Sequence, residues 1–381
     1  TGIQNTAYGS FALAANTTAS FNTAMGYQAL TSNTTASNNT AVGYQAGYSN
    51  TTGVNNVFVG DQAGKLTTSN FNTMVGSAAG QANTSGQYNT FVGGRDSNGY
   101  SAAYSNSTGS NNTVLGSGAL ALNTTASNNT AVGYQAGLNN TTGSVTAFGQ
   151  GSLYSNVTGD GNSAFGVSAL TANTGNYNSA FGWRAGYGNT SGTQNLFVGY
   201  ATGYGNTTGG YNAAVGNTAM YTNTTGSYNV ALGVDALRSN TTSSNNTAVG
   251  YQAGNSLTGA SNTVYGYQAG YSITGNGNVC IGYATGATGT SLTSGGNNTY
   301  VGNQVSASAS SVQYEIVLCA SGAGVTGKGG STGFISPNGG GVYQGNNSSS
   351  WSTTSDQRLK KNIVDNNDGL DKINAIRVRN F

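Results

Sequence analysis

The sequence has no histidine, one proline and two cysteines, and only 5% of its 381 residues carry a charge. Each scarcity excludes something. Without histidine the commonest general base and neutral metal ligand are missing, so hydrolytic chemistry would fall to Ser/Lys pairs or paired carboxylates. Through residue 350 five basic residues (Lys65, Arg95, Arg184, Arg238, Lys328) stand against five acidic ones (Asp61, Asp96, Asp160, Asp235, Glu315). That leaves no basic stripe to neutralise phosphates, and no nucleic-acid partner is expected. Cys280 and Cys319 lie far apart without metal-ligand or redox spacing, which favours buried thiols over a disulfide and implies neither metal nor cofactor. No apolar run is long enough to span a bilayer, and no charged-then-apolar signal segment is found in the sequence. The chain opens at Thr1 inside a repeat and reads as a piece of something longer.

What is abundant is glycine, 62 residues, and repetition. The clearest copy is Asn39-Thr40-Ala41-Val42-Gly43-Tyr44-Gln45-Ala46-Gly47; aligned on its central glycine, 18 copies run from Gly9 to Gly302. Their spacing is 16 or 17 residues, except 23 between Gly93 and Gly116 and 20 between Gly282 and Gly302. The residue before the glycine is always apolar (Val42, Val59, Val92, Val132, Val198, Val215, Val249, Ile281) and is assigned inward. Two places earlier, a small or β-branched residue shares its face by the two-residue strand period. Three places after the glycine stands Ala in most copies (Ala12, Ala29, Ala46, Ala136, Ala253), narrow enough for a thin core.

Four places before the glycine stands Asn, except for Val145, and stacked Asn amides form ladders from coil to coil. Runs such as Asn33-Thr34-Thr35-Ala36 and Asn206-Thr207-Thr208-Gly209 read as turns. Strand, bend, short strand and turn make one coil of a β-solenoid. A helix is excluded because Gly, Thr and Val fill the period, and disorder is disfavoured because an apolar residue recurs at one place in every copy. The extra residues around Asp96 to Tyr104 are expected to bulge from the rod. Leu13, Leu30, Leu120, Leu153, Leu170, Met220 and Leu237, four places after their glycines, fill either an axis shared between chains or the chain's own coil.

The repeat, Asn5 to Gly302, resembles the β-roll coils of trimeric bacterial adhesin heads and, more closely, the Asn-Thr-Ala-Val-Gly repeats of phage tail-fibre proteins. The end of the chain, Ser355-Asp356-Gln357-Arg358-Leu359-Lys360-Lys361-Asn362-Ile363, resembles the start of the endosialidase-type intramolecular chaperone, which trimerises fibres and cuts itself off. The resemblance implies that Ser355 is the nucleophile of that single self-cleavage and Lys360 its base. The same stretch also reads as a capped helix start.

The resulting expectation is all-β: a β-solenoid rod of 16–17-residue coils over residues 1–306, a parallel homotrimer, with an irregular β-rich closing segment at 307–354. A short helical start of the chaperone domain follows at 355–381. The expected function is structural and adhesive, the host-binding part of a phage tail fibre, extracellular on the virion. Its partners would be itself, a host surface glycan or protein receptor, and proximal fibre or baseplate proteins. Apart from self-cleavage, no enzymatic activity is expected. Tyr27, Tyr44, Trp183, Tyr251 and Tyr267 are candidates for an outward sugar-binding strip, or else form a packed lateral surface. A bacterial trimeric surface adhesin and an ice-binding solenoid are the alternatives.

Overall fold

The computed structural model describes residues 2–320, 324–337, 341–345 and 350–353. The self-cleavage candidates Ser355 and Lys360, and the expected C-terminal helix, lie outside the described residues. Within them the chain is all-β and builds a parallel solenoid, one short strand per coil, from β1 (Thr6–Tyr8) through β18 (Thr299–Val301) to β19 (Ile316–Cys319) and β20 (Gly333–Ser336). Nineteen successive parallel pairings join them, each in register, as in Thr40↔Val57, Ala41↔Phe58 and Val42↔Val59. At the usual strand spacing of about 4.8 Å the twenty strands make a rod on the order of 90 Å long.

The ladder runs two turns past Gly302, because Cys319 and then Ser336 stand where the glycine does in other coils. It reverses only at β21 (Val342–Gln344) and β22 (Trp351–Thr353), which pair antiparallel.

Most strands are three residues long, and in the repeat a glycine ends each at a backbone angle that side chains resist. Gly43 has φ +138°, and a Cβ there would lie 2.3 Å from the carbonyl oxygen of Gly60 in the next coil. Glycine therefore recurs so that backbones can close on one another. Beyond the bend, other sides of the coil also bond rung to rung: the amide of Leu30 donates to Ala46 O (3.0 Å) and that of Thr34 to Thr51 O (3.2 Å).

The expected phase of the strand is overturned. The middle residue, two before the glycine, points inward: Ala41, Phe58, Met74, Phe91, Ala131 and Phe197 are fully buried. The residue directly before the glycine points out; Leu115 is 50% exposed, Phe148 49% and Ile281 38%. Val42, Val59, Val92, Val132, Val198 and Val249 are only half-buried, and Val215 is exposed. The reason is volume. A coil of 16–17 residues encloses a narrow core, and the mostly Ala column fits it where an unbroken column of Val, Leu, Phe and Tyr does not.

The leucines four places after the glycine are likewise not on a shared axis. Leu30, Leu120, Leu153, Leu170, Met220 and Leu237 are fully buried inside their own chain, and Leu13 nearly so. They lie opposite the strand and complement it in size. Where the strand supplies Phe58, the facing positions are Gly47 and Gly64; a Cβ at either would come within 2.6 or 2.3 Å of that ring. Phe197 is flanked in the same way by Gly186 and Gly203. Ala29, Ala46, Ala136 and Ala253 complete the core as expected, while Ala12, at the open first turn, is half-buried.

The Asn column forms the anticipated ladder, in a specific form. Each side-chain Oδ1 accepts the backbone amide of its counterpart one coil on, as in Asn39 N to Asn22 Oδ1 and Asn56 N to Asn39 Oδ1, both 2.9 Å. Most Nδ2 groups donate to a turn carbonyl such as Gly53 O (2.9 Å from Asn39), whereas that of Asn129 donates to Asn112 Oδ1 (2.9 Å). The Val145 amide donates to Asn129 Oδ1 (2.7 Å), but Val145 has no side-chain oxygen to accept the amide of the next coil. There β9 (Val145–Phe148) and β10 (Asn162–Phe165) are four residues long and pair directly at Val145↔Asn162.

A second ladder arises from the residues read as turn formers. Asn189, Asn206, Asn223 and Asn240 are buried and linked Nδ2 to Oδ1 from coil to coil at 2.6 to 3.0 Å. At the C-terminal end Glu315 takes the Asn place, fully buried. Its amide donates to Asn298 Oδ1 (2.8 Å), and its carboxylate accepts from Tyr300 OH (2.8 Å), Ser308 N (3.1 Å) and Gly329 N (2.8 Å). Burial, and next the Glu315 charge, push the Tyr300 hydroxyl far above its ordinary pKa, so it remains a donor.

Candidate binding surface

Because the coils stack in register, residues at one place of the repeat become a column along the rod. The place after the glycine carries Tyr27, Tyr44, Trp183, Tyr251 and Tyr267, all exposed. Neighbours in the column stack face to face: Tyr27 on Tyr44 (5.6 Å, 9°) and Tyr251 on Tyr267 (5.3 Å, 15°). Tyr200 and Tyr283 extend it, the former stacked on Trp183 at 4.8 Å and the latter on Tyr267 at 5.1 Å. The five candidates thus share one strip, in separate runs interrupted by residues such as Asp61, Ser77 and Gln150.

A second aromatic column, four places further along the coil, escaped the sequence reading. Tyr187, Tyr204 and Tyr221 stack at 5.2 Å each, half-buried. Arg184 bridges the two columns, its guanidinium 4.2 Å from the Trp183 ring and 5.5 Å from that of Tyr187. One coil past Tyr221 the column ends in Arg238, 5.6 Å from that ring and 3.2 Å from Asp235.

No family model matches this chain, and neither does any curated protein or solved structure. The surface is therefore read from its own chemistry. Among the described residues no three His, Cys, Asp or Glu side chains are grouped to hold a metal, and no helix is long and apolar enough to cross a membrane. Cys280 faces the core from β17 (Val279–Ile281), where burial pushes its thiol up to about 12, and it is not disulfide-bonded.

The 23-residue interval bulges as expected, but over a shorter stretch than Asp96 to Tyr104. The chain leaves the coil after Gly93 and is back at Ala102, whose amide bonds Gly93 O (3.2 Å). The loop is pinned to neighbouring coils by Arg95 to Asp61 (3.1 Å) and Gln135 to Asp96 (3.0 Å). Burial raises the Asp96 pKa, but bonds from Tyr100 N, Gln135, Asn98 N and Tyr134 outweigh it and hold the carboxyl below its ordinary value. A lowered folded-state pKa contributes stability above the unfolded value and loses it as pH falls through the folded one. Measured against the intrinsic exchange rate at each pH, protection of the Asn98 and Tyr100 amides should therefore be high at neutral pH and fall below about pH 4, while protection of the buried Asn ladder amides does not; an equal fall in both would contradict this.

The other outward surface is the strand face itself. Its column before the glycine is apolar throughout, with Phe148, Phe165 and Phe181 stacked at 6.1 and 4.9 Å. It continues into a shallow groove of about 320 Å³ bordered by Val301, Leu318 and Ile335.

Proposed function

We propose that the chain is the distal rod of a phage tail fibre, a structural and adhesive element that presents host-binding surface at a distance from the particle. The observation that carries this is the ladder of nineteen in-register pairings, which spends the chain on length and repeated lateral surface rather than on an enclosed site. The resemblance of the Ser355 to Lys360 stretch to a fibre chaperone supports the same reading, with Ser355 as nucleophile and Lys360 as base of one self-cleavage. Trimerisation belongs with it. The leucines are consumed within each coil, so the face available for a parallel homotrimer is the strand face, where one apolar column runs the length of the rod. Exposed apolar surface of that extent marks an interaction site.

An ice-binding role is less well supported. Turn threonines such as Thr207 and Thr224 donate their hydroxyls to the next coil's carbonyl (2.9 and 3.0 Å) and are not a free array.

Two measurements test the proposal. Sedimentation of the chain should give three times its mass and the friction of a rod. Gold-labelled antibody against it should decorate the distal tail fibre of particles produced with it. A monomeric mass would remove the trimer, and label confined to bacterial surfaces would replace the fibre with a bacterial adhesin.

A further inference from the structure

The interval from Trp183 to Arg238 differs from the rest of the rod in having both aromatic columns and two cations together. Two of the five basic residues that precede residue 350 lie here. Arg184 has no described carboxylate within ion-pair distance, and it lies against two ring faces. A guanidinium attracted to aromatic rings rather than to a carboxylate keeps N–H donors for a ligand, and their fork matches a carboxylate in bidentate geometry. Arg238 lies three coils further along, about 14 Å up the rod at the strand spacing, and three places further round the coil. Between the cations run Trp183 on Tyr200 and the stack of Tyr187, Tyr204 and Tyr221. The rings of each stack cover one another's faces along the rod, so a ligand lying along the columns meets ring edges, whose polarised C–H groups and Tyr hydroxyls attract the oxygens of a hexose.

We infer that this stretch binds an acidic polysaccharide, a chain of hexoses bearing carboxylates, with sugar hydroxyls along the ring edges of the aromatic columns and carboxylates on Arg184 and Arg238. The site rests on the reading of the rod as an adhesive surface, and names the ligand class of one part of that surface. Asp235 sets its far end: it pairs with Arg238 at 3.2 Å and accepts from Thr218 Oγ1 at 2.6 Å, so Arg184 is the stronger anion contact.

The substitutions that test this are ones the repeat already tolerates. Gln stands at the place of Arg184 in the coils of Gln45, Gln135 and Gln252, each at a φ near +50° like Arg184 itself. Ser77 and Ser117 occupy the place of Trp183. Arg184→Gln and Trp183→Ser should therefore fold.

Binding of the full chain would be measured by affinity electrophoresis in gels containing polygalacturonate, its methyl ester or dextran. Wild type should be retarded by polygalacturonate, less so as salt rises, and about ten-fold more weakly by the ester. Arg184→Gln and Trp183→Ser should each weaken polygalacturonate binding by about ten-fold or more, and Tyr27→Ser, remote in the same column, should not. No retardation of wild type, equal binding of the ester, or full binding by either variant overturns the site. So does a drop in sedimenting mass for Arg184→Gln, which would give this surface to a second copy of the chain. The outcome is separable from the fibre assignment: a rod that decorates fibres but ignores polygalacturonate loses this site alone. One that binds polygalacturonate but is absent from fibres loses the assignment alone.

Discussion

Ala131→Asp should prevent the rod from folding around its middle coils, whereas Val132→Asp, one residue on, should leave the coil of each chain intact. Ala131 is fully buried on β8 (Thr130–Val132), between Val114 below and Ala147 above in the same inward column. A carboxylate there has no cation within reach and costs several kcal/mol or, protonated, still overfills the site. Val132 faces outward, and on the chain alone its replacement should cost within about 1 kcal/mol. If the strand face is the trimer interface, Val132→Asp should instead weaken assembly. Circular dichroism melting with sedimentation separates these effects: Ala131→Asp loses the cooperative transition, and Val132→Asp keeps β-structure at lower mass. The reverse pattern would show that the pleat has been assigned to the wrong faces.

The second large effect concerns the fit between strand and facing turn. Phe197→Ala should destabilise by about 3–5 kcal/mol, the range for emptying a core of an aromatic side chain. Gly203→Leu alone should also destabilise, because its Cβ would lie 2.3 Å from the Phe197 ring. Combined, they reproduce the Ala231 and Leu237 arrangement two coils along, and Leu237 already adopts φ +50° where Gly203 has +61°. The double variant should recover at least about 2 kcal/mol relative to the sum of the single losses, since contacting sites are not additive. Simple additivity in denaturant titrations would mean that the two columns do not share one volume.

Much of this was legible in the sequence because columns are a property of repetition. The period, the Asn ladder, the inward alanines, the side loop and the outward tyrosines followed from reading the copies one above another. The phase of the three-residue strand did not, because two-fold alternation allows two answers that differ by one residue. Hydrophobicity favoured Val132, while the space available favoured Ala131. Deciding between them required weighing size against core width, and the reciprocal pairing of Phe58 with Gly47 and Gly64 was the signal that could have done so. The two extra turns escaped because Cys319 and Ser336 replace the guide glycine, although Glu315 keeps the Asn spacing. The Arg184 bridge escaped because Tyr187 and Tyr204 alternate with Lys65, Gln81 and Leu138 in the other coils, so that no single residue type marks that place.

The glycine column has a consequence for length. Each rung is closed by a backbone contact that only its counterpart one coil away satisfies, as Gly43 does with Gly60. Losing or gaining one whole coil moves the remaining rungs together and leaves every column continuous. Any other insertion larger than the one-residue difference between 16- and 17-residue coils must leave the rod as a loop, as it does after Gly93. Three stretches, from Asn39, Asn129 and Asn246, are identical over nine residues. Coils this alike are interchangeable units, so the reach of the rod changes in steps of one strand spacing rather than continuously.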